Sequence, residues 1–299
     1  MATAPIALFV YNRPEHTRRT VEALRRNDLA ADSDLFIFSD VARNVEAAAS
    51  VRAVRDYIGR IEGFRSVRTV ARETNFGLAS SIIDGVTEVC REYGRVIVLE
   101  DDLVTSAHFL RFMNEALDTY KNDEGVASIH GYWYPVDAPV PETFFLRVAS
   151  SWGWATWSRA WKLFERDGEK LLAELRRRKQ TKTFDLGGAI DYTRMLEDQI
   201  AGKNDSWAIR WDASVFLADK VSLYSRASLV RNIGFDGSGR HSPVSNAYDA
   251  ELAAAPVLVK HLEPKECVEA REALIRYYRS GKRNLLIRVL GRLLRMMGF

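Results

Sequence analysis

The chain contains little cysteine or histidine. Its 299 residues include two cysteines, Cys90 and Cys267, and five histidines. A disulfide framework or a structural zinc site needs more of these residues at closer spacing, so neither is expected. The composition therefore favours a reducing compartment, and we expect the protein in the cytoplasm.

Long apolar runs and an excess of one charge are also absent. No stretch of about 18 apolar residues occurs, so we expect no membrane-spanning helix. Residues 1–5 lack the basic and apolar segments of a secretory signal. Lys and Arg number 43 against 40 Asp and Glu, and the resulting charge of +3 gives no reason to expect nucleic acid as a partner. A hydrophobic content of 47% provides ample core for a globular protein.

The common glycine fingerprints for phosphate binding are missing as well. Neither G-x-G-x-x-G nor G-x-x-x-x-G-K-[ST] follows the first predicted strand. The usual dinucleotide-binding and P-loop classes therefore have no support, and any bound nucleotide is held in another way.

The most informative segment present is 95–102, a short apolar run that ends in Glu100, Asp101 and Asp102. Residues 96–99 are β-branched or aliphatic without alternation, which predicts a strand buried on both faces of a mostly parallel sheet. The acids then lie at the carboxyl edge, where open α/β sheets bind ligands. Clustered carboxylates need compensation, and Mg²⁺ or Mn²⁺ prefers such oxygen ligands. A solvated acidic turn is the alternative.

Strands and helices alternate over the first hundred residues. Apolar runs predict strands at 5–11, 35–38, 66–71 and 96–99. Helical periodicity predicts helices that begin at Pro14, at 45–61 and after Gly77. This alternation is typical of βαβ units, so we predict the α/β class with a Rossmann-like, mostly parallel central sheet and flanking helices.

Polar residues follow the other strands of this predicted sheet. Arg13, Asp40 and Asn75 would all lie at the edge that carries Asp102. Arg13 can bind a phosphate, and Asp40 can accept a hydrogen bond from a base N–H group. A local role in a turn is the alternative for Asp40.

Six of the seven tryptophans lie in the second half, at positions 152, 154, 157, 161, 207 and 211. Trp154, Trp157 and Trp161 recur at helical spacing, which predicts one packed helix face. Trp152 and Trp207 fall outside that pattern. Their indole faces suit the C–H surface of a sugar ring.

Two further segments carry candidate chemistry. Asp205 lies between helices predicted at 192–201 and 207–219, where it is either a helix cap or a general base, with Asp198 the second candidate for the base. Three glycines at 234–239 precede Arg240 and His241. This pattern predicts either a flexible surface turn or a lid that closes over an anionic ligand.

In this order the segments resemble GT-A fold nucleotide-sugar glycosyltransferases, most closely bacterial sugar transferases related to N-acetylglucosaminyltransferase I. The resemblance covers about residues 5 to 245. It rests on five segments: 9–14, 96–102, 153–154, 205–207 and the glycine-rich segment that ends at His241. The triplet is Glu-Asp-Asp rather than Asp-x-Asp, which resembles the N-acetylglucosaminyltransferase branch without fixing the sugar.

The resemblance implies an inverting, metal-dependent transfer of a sugar, with a UDP-sugar as the expected donor, to a polysaccharide or lipid-linked glycan. It implies that Mn²⁺ or Mg²⁺ is the cofactor. The residues assigned to the donor are Arg13, Asp40, Asn75, Glu100, Asp101, Trp152, Ser238 and Arg240, and those assigned to the metal are Asp102 and His241.

Two competing functions stay open. A nucleotidyltransferase that makes a nucleotide sugar would share the sheet and the acidic site, but no glycine- and arginine-rich phosphate loop follows the first strand. A non-catalytic adaptor at a membrane surface is the other. The joint presence of Glu100, Asp101, Asp102 and Asp205 argues against it.

The sequence also predicts an organisation into a domain and a tail. Residues 1–245 form the transferase domain, with a nucleotide-sugar half at 1–103 and an acceptor half at 104–245, and residues 246–299 form a helical tail. Residues 279–299 hold six basic residues and no acid. This pattern is typical of an amphipathic helix that binds an anionic surface, which would put the protein at the inner face of the cell membrane. Docking on the protein's own core is the alternative.

Overall fold

The computed structural model describes residues 3–237 and 245–281. The strands in these residues are β1 Ile6–Val10, β2 Asp34–Ser39, β3 Ser66–Ala71, β4 Arg95–Glu100, β5 Leu103–Thr105, β6 Val126–His130, β7 Thr143–Leu146, β8 Trp154–Trp157, β9 Val221–Ser225 and β10 Val230–Asn232. The helices are α1 Pro14–Arg25, α2 Val45–Ile58, α3 Gly77–Tyr93, α4 Phe109–Thr119, α5 Ser158–Trp161, α6 Gly168–Arg177, α7 Thr181–Phe184, α8 Tyr192–Ile200 and α9 Trp207–Leu217. A C-terminal helix covers residues 268–281.

Eight of these strands form one sheet in the order β3-β2-β1-β4-β8-β6-β9-β7. The pairs among β1 to β4 are parallel, and so is the pair of β6 with β9. β8 runs antiparallel to both of its neighbours, and β7 runs antiparallel to β9. Six strands therefore share one direction, and the predicted α/β class with a mostly parallel sheet is confirmed.

The strands β1, β2 and β4 follow the apolar runs of the sequence, whereas β3 lies at the end of the sheet and is exposed or half-buried along its length. Every residue of β1 is buried, and so are Val96 to Leu99 in β4, because helices cover both faces of this part of the sheet. Pro14 opens α1, as predicted, since its fixed φ angle suits the first helical position. Gly85 of α3 lies so near Phe9 that an added Cβ would be 2.8 Å from the Phe9 ring. The helix can therefore approach the sheet closely.

The predicted helix face of tryptophans is wrong. Trp154 and Trp157 lie in β8, where they pair with β4 and β6, and helix α5 begins only at Ser158. The spacing misleads because a buried strand joined to a short helix can also bring Trp154 and Trp161 together, with ring centroids 5.9 Å apart. Trp207, expected to be free for a sugar, is 3% exposed and stacks on Trp154.

The part of the chain after residue 245 packs on the domain over its described length. Ala250 and Val257 belong to the main hydrophobic core. Ala270 and Leu274 of the C-terminal helix join a second cluster with Trp133. Residues 282–299, which hold most of the predicted membrane-surface helix, lie outside the described residues. In the part of the chain that the structure describes, no helix is long and apolar enough to cross a membrane.

Candidate functional site

The centre of the candidate site is an ion-pair network at the carboxyl edge of the sheet. β4 ends at Glu100, and the chain turns at Asp101 and Asp102 into β5. Arg13, just before α1, donates through its Nη2 to the carboxylates of both aspartates, with 2.9 Å to Asp102 Oδ2. Thr20 of α1 donates to the main-chain carbonyl of Asp101 at 2.8 Å. The structure thus joins the ends of β1 and β4, as strand direction requires.

The segment after β10 passes directly over Asp102. β10 pairs antiparallel with β5, and the N–H group of Ile233 donates to the carbonyl of Asp102 at 2.8 Å. Gly234 follows, and an added Cβ there would lie 2.2 Å from Asp102 Oδ2 and 3.1 Å from an Arg13 nitrogen. Only glycine fits here without displacement of the carboxylate. We refer to residues 232–237 as the glycine segment.

The electrostatics of this network follow from burial. Desolvation, together with the charges of Asp102 and Asp101, raises the pKa of Glu100 above its usual value. Burial also raises the pKa of Asp101, although Arg13 acts in the opposite direction. Burial alone would lower the pKa of Arg13, but the two aspartates raise it, so Arg13 stays charged. Within residues 3–237 and 245–281, the three acids thus meet a single arginine, an arrangement suited to a further cation.

Asp40 and Asn75 lie at the neighbouring strand end and have local roles. The Asp40 carboxylate accepts hydrogen bonds from the N–H groups of Phe76 at 3.0 Å and Gly77 at 2.9 Å, at the start of α3. Asn75 donates to the carbonyl of Val41 at 2.6 Å. The observed contacts of Asp40 therefore agree with a local role in the turn. A contact between Asp40 and a nucleotide base stays a prediction.

Asp205 does not cap α9, so the helix-cap alternative is wrong. Ser206 takes that position, and its Oγ accepts from the N–H group of Ile209 at 3.2 Å. The side chain of Asp205 is 69% exposed and pairs with Arg210 at 3.3 Å. A carboxylate in this position is accessible to a ligand.

Asp198, the second candidate base, is held by two cations. It accepts a hydrogen bond from Lys203 at 3.0 Å and pairs with Arg194 at 3.3 Å. The hydrogen bond from Lys203 is the main cause of a lowered pKa at Asp198. Asp198 thus has two cationic partners and Asp205 has one, which leaves Asp205 the more accessible candidate. No contact within the described residues joins Asp198 or Asp205 to Arg13.

Trp152 lies beside the glycine segment. It is half-buried, and its ring centroid lies 5.5 Å from those of Phe235 and Tyr248 and 4.6 Å from that of Tyr132. Phe235 directly follows Gly234, so Trp152 belongs to the surroundings of Asp102. The remaining predicted site residues, Ser238, Arg240 and His241, lie outside the described residues, and their roles stay predictions.

Sequence reasoning missed two polar residues near these segments. His16, one turn after Arg13 on α1, lies 3.1 Å from Asp236 and fastens the glycine segment to that helix. Its position three residues after Arg13 was the available signal. Asp212, 4% exposed, accepts a hydrogen bond from the N–H group of Ala149 at 2.6 Å. An acid within the mostly apolar sequence of α9 was the signal there.

The residues at this edge fit a weakly held divalent ion. Among the described residues, no group of three or more His, Cys, Asp or Glu side chains is arranged to hold a metal. Mg²⁺ and Mn²⁺, however, commonly take only one or two protein carboxylates and complete their octahedron with water and phosphate oxygens. Asp102 is half-buried rather than enclosed. The carboxylate of Glu100 accepts no hydrogen bond from the part of the chain that the structure describes. Both carboxylates are hard oxygen donors of the required kind.

Comparison with known proteins gives distant likenesses only. No protein-family model matches the chain, and no curated protein matches it. Among solved structures, it is similar to S. aureus TarS, with 12% identity and a TM-score of 0.38 over 55% of this chain and 30% of that one. The chain thus spans less than a third of the length of TarS.

Two further solved structures are similar to a comparable degree. One is the mannosyltransferase PcManGT from Pyrobaculum calidifontis, solved with GDP-Man and Mn²⁺, with 10% identity and a TM-score of 0.37 over 72% of this chain and 74% of that one. The other is mouse xyloside xylosyltransferase 1, with 14% identity and a TM-score of 0.38 over 60% and 75%. Likeness at this level assigns neither activity nor substrate.

Proposed function

We propose that the protein is an inverting, metal-dependent glycosyltransferase that uses a nucleotide sugar. The observation that carries the proposal is the network at the carboxyl edge of the sheet, in which Arg13 binds Asp101 and Asp102 beneath Gly234. A cation and paired acids, placed where α/β sheets bind ligands, suit a sugar diphosphate and its metal ion. The motif resemblance of residues 5 to 245 points to the same activity.

Each residue of the network has a separate role in the proposed binding of the donor. Asp102, with Glu100 beside it, would hold Mn²⁺ or Mg²⁺. When bound, such an ion stabilises the negative charge that develops on the leaving nucleoside diphosphate. Arg13 fixes the orientation of Asp101 and Asp102 through its hydrogen bonds to both carboxylates. The glycine segment brings main-chain groups close to Asp102, since Gly234 has no side chain to exclude the donor.

Asp205 is the proposed general base. The acceptor hydroxyl attacks the anomeric carbon from the face opposite the leaving group, so the configuration inverts, and its proton passes to a carboxylate. Asp205 is mostly exposed and can receive that proton, whereas Asp198 is held by Lys203 and Arg194. The bond from the anomeric carbon to the diphosphate oxygen breaks as the new glycosidic bond forms.

The resemblance supplies the finer assignment of donor and acceptor. A UDP-linked hexose or N-acetylhexosamine is the proposed donor, and a polysaccharide or lipid-linked glycan is the proposed acceptor. The nucleotide-side contacts are assigned to Asp40, which follows β2, and to Asn75, which precedes α3.

Slow hydrolysis of the donor tests the activity without a known acceptor. The full chain is incubated with Mn²⁺ and a panel of UDP- and GDP-sugars, and release of nucleoside diphosphate is measured. We expect release from at least one UDP-sugar and none without metal. Release of pyrophosphate from a nucleoside triphosphate and a sugar phosphate would favour the nucleotidyltransferase instead. No turnover of any donor and no binding of UDP would leave only the adaptor.

The basic C-terminal segment is proposed to bind an anionic membrane surface, where a lipid-linked acceptor would be found. Each Lys or Arg near such a surface contributes about 1 kcal/mol. The contacts of Ala270 and Leu274 lie before residue 281, so a chain that ends at Gly281 keeps them. We expect the full chain to sediment with anionic vesicles at low salt and the shortened chain to remain in solution while it still hydrolyses donor. Equal sedimentation with neutral vesicles would contradict this.

A further inference from the structure

Aromatic side chains from four separate parts of the chain meet beside the glycine segment. They are Tyr132, Trp152, Phe235 and Tyr248, which we call the aromatic platform. Trp152 contacts the other three at centroid distances of 4.6 to 5.5 Å, and Phe235 lies 4.9 Å from Tyr248. Tyr132 is buried, whereas the other three are only half-buried.

Strand register places the platform at the same edge of the sheet as the acidic triplet. β8 runs antiparallel to β4, and Trp154 pairs with Val98. Trp152, two residues before Trp154, therefore lies level with the carboxyl end of β4. His130 of β6 pairs with Trp154 as well, so Tyr132 follows at the same level.

The platform also borders Asp102 through the chain itself. Phe235 is the neighbour of Gly234, whose added Cβ would lie 2.2 Å from Asp102 Oδ2. Gly234 alone thus lies between the ring of Phe235 and Asp102, the proposed metal ligand. A ligand that rests on Trp152 and Phe235 lies next to the place where the donor diphosphate would bind.

The backbone around the platform is well supported. The hydroxyl of Tyr132 donates to the carbonyl of Tyr248 at 3.1 Å, and the N–H group of Gly131 donates to the carbonyl of Gly153 at 2.8 Å. Tyr277 of the C-terminal helix donates to the carbonyl of Ala247. Sites held by strands and tertiary hydrogen bonds keep their geometry better than sites on free loops.

Core packing alone does not account for the exposure of these rings. The tryptophans that only fill the interior, Trp154 and Trp211, are fully buried, whereas Trp152 is not. A half-buried aromatic group with apolar faces and a polar rim suits a ligand with one apolar face and several hydroxyls. A pyranose ring has both.

We propose that the aromatic platform binds the sugar ring of the acceptor, with the C–H face of the ring against Trp152 and Phe235. This inference rests on the proposed function and deepens it. It moves Trp152 from the donor side, where the sequence assigns it, to the acceptor side. The acceptor hydroxyl is then held beside the anomeric carbon of a donor bound at Asp102, which supplies the proximity that transfer requires.

Saturation-transfer NMR of the full chain tests the proposal with defined probes. The probes are the methyl β-glycosides of glucose, galactose and N-acetylglucosamine at millimolar concentration, with UDP and Mn²⁺ present. We expect transfer to the ring protons of at least one glycoside and at least a fivefold weaker affinity in Phe235→Leu and Trp152→Leu. Phe235→Tyr, which keeps the aromatic face, is expected to bind as the wild type does.

Tyr93→Leu is the matched control. Tyr93 is 40% exposed and packs edge-on against Phe36, but it ends α3 at the opposite edge of the sheet. The proposal would be overturned if no saturation transfer to any of the three glycosides is seen. Saturation transfer in Phe235→Leu equal to that in the wild type would also overturn it. Calorimetry of UDP with Mn²⁺ on the same samples separates the outcomes, because loss of UDP binding in the wild type would refute the donor site instead.

Discussion

The acidic edge of the sheet and the segment from Asp198 to Asp205 hold their carboxylates in opposite ways. At the edge, Arg13 binds Asp101 and Asp102 across 88 and 89 residues of sequence. In the second segment, Asp198 binds Lys203 and Asp205 binds Arg210, each only five residues away. The first arrangement exists only in the folded protein, whereas the second needs little more than a local turn.

The carboxylates of the acidic edge therefore support the structure of the site, whereas Asp205 is free of such a structural role. The carboxylate of Asp205 is 69% exposed, and its partner Arg210, although only 10% exposed, also donates to the carbonyls of Ser206 and Arg166. Loss of this ion pair is therefore expected to cost no more than about 1 kcal/mol. A substitution there is expected to change chemistry and spare the fold. Substitutions at the buried edge are expected to change binding and geometry together, since the side chains support one another.

The largest effect is expected for Asp102→Ala. Loss of a directly coordinating carboxylate should weaken Mn²⁺-dependent UDP binding by more than about 100-fold, the upper range for mere support residues of metal sites. Calorimetry of UDP with Mn²⁺ measures this. The matched control is Asp118→Ala, which removes the partner of Arg95 at the other end of β4, 2.5 Å away. Unchanged UDP affinity in Asp102→Ala would remove the triplet from the mechanism.

Asp205→Asn is expected to lose transfer while it keeps donor binding. The amide retains the shape and cannot take a proton, and a general base commonly contributes a factor of about 10² to 10⁴. Turnover and UDP affinity are measured on the same protein, with Asp198→Asn as the control. Wild-type turnover in Asp205→Asn together with loss in Asp198→Asn would reverse the two assignments.

Gly234→Ala probes how closely the acidic edge is covered. The added Cβ would lie 2.2 Å from Asp102 Oδ2, and the carboxylate cannot move without disturbing its contact with Arg13. Overpacking of this kind commonly costs about 1–3 kcal/mol of stability. Because relief of the clash displaces Asp102, we expect UDP affinity to fall by a comparable free energy, roughly 5- to 100-fold. Gly59→Ala is the control, since its nearest atom is 3.5 Å away. Equal affinity in both variants would contradict the close approach.

The same contrast explains what the sequence could predict. The strands β1, β2 and β4 are mostly continuous apolar runs followed by polar residues, so their positions in the chain and that of Glu100 to Asp102 followed directly. The partner of Arg13 did not, because a cation at a strand end suits a phosphate or a distant carboxylate equally well. Contacts across such separations depend on packing that no local pattern encodes.

Prediction was less successful in the segment from Asp198 to Asp205, because neighbouring residues were equally suited to the same role. Asp205 and Ser206 are both good helix caps, and their order alone does not decide which one begins α9. The tryptophan pattern failed for a related reason, since the spacing of Trp154 and Trp161 fits a helix as well as a strand joined to a helix. The hydrogen bond from the N–H group of Ile209 to Ser206 decides the first case, and the pairing of β8 with β4 and β6 decides the second.

Asp212 sharpens the comparison, because it lies on α9, the helix that follows the exposed Asp205, and yet is buried like Asp101 at the acidic edge. Burial raises its pKa to about 7, against about 4 for an aspartate in an unfolded chain. Between these values the unfolded chain releases a proton that the folded protein keeps, so stability falls with rising pH by up to roughly 1.4 kcal/mol per unit. Asp212→Asn keeps an oxygen for the N–H group of Ala149 and cannot ionise. We therefore expect its unfolding free energy, measured by urea denaturation from pH 4 to 8, to decline less than that of the wild type, with the two proteins similar at pH 4 and the variant more stable at pH 8. Parallel curves for the two proteins would mean that Asp212 ionises in the fold as freely as the exposed acids do.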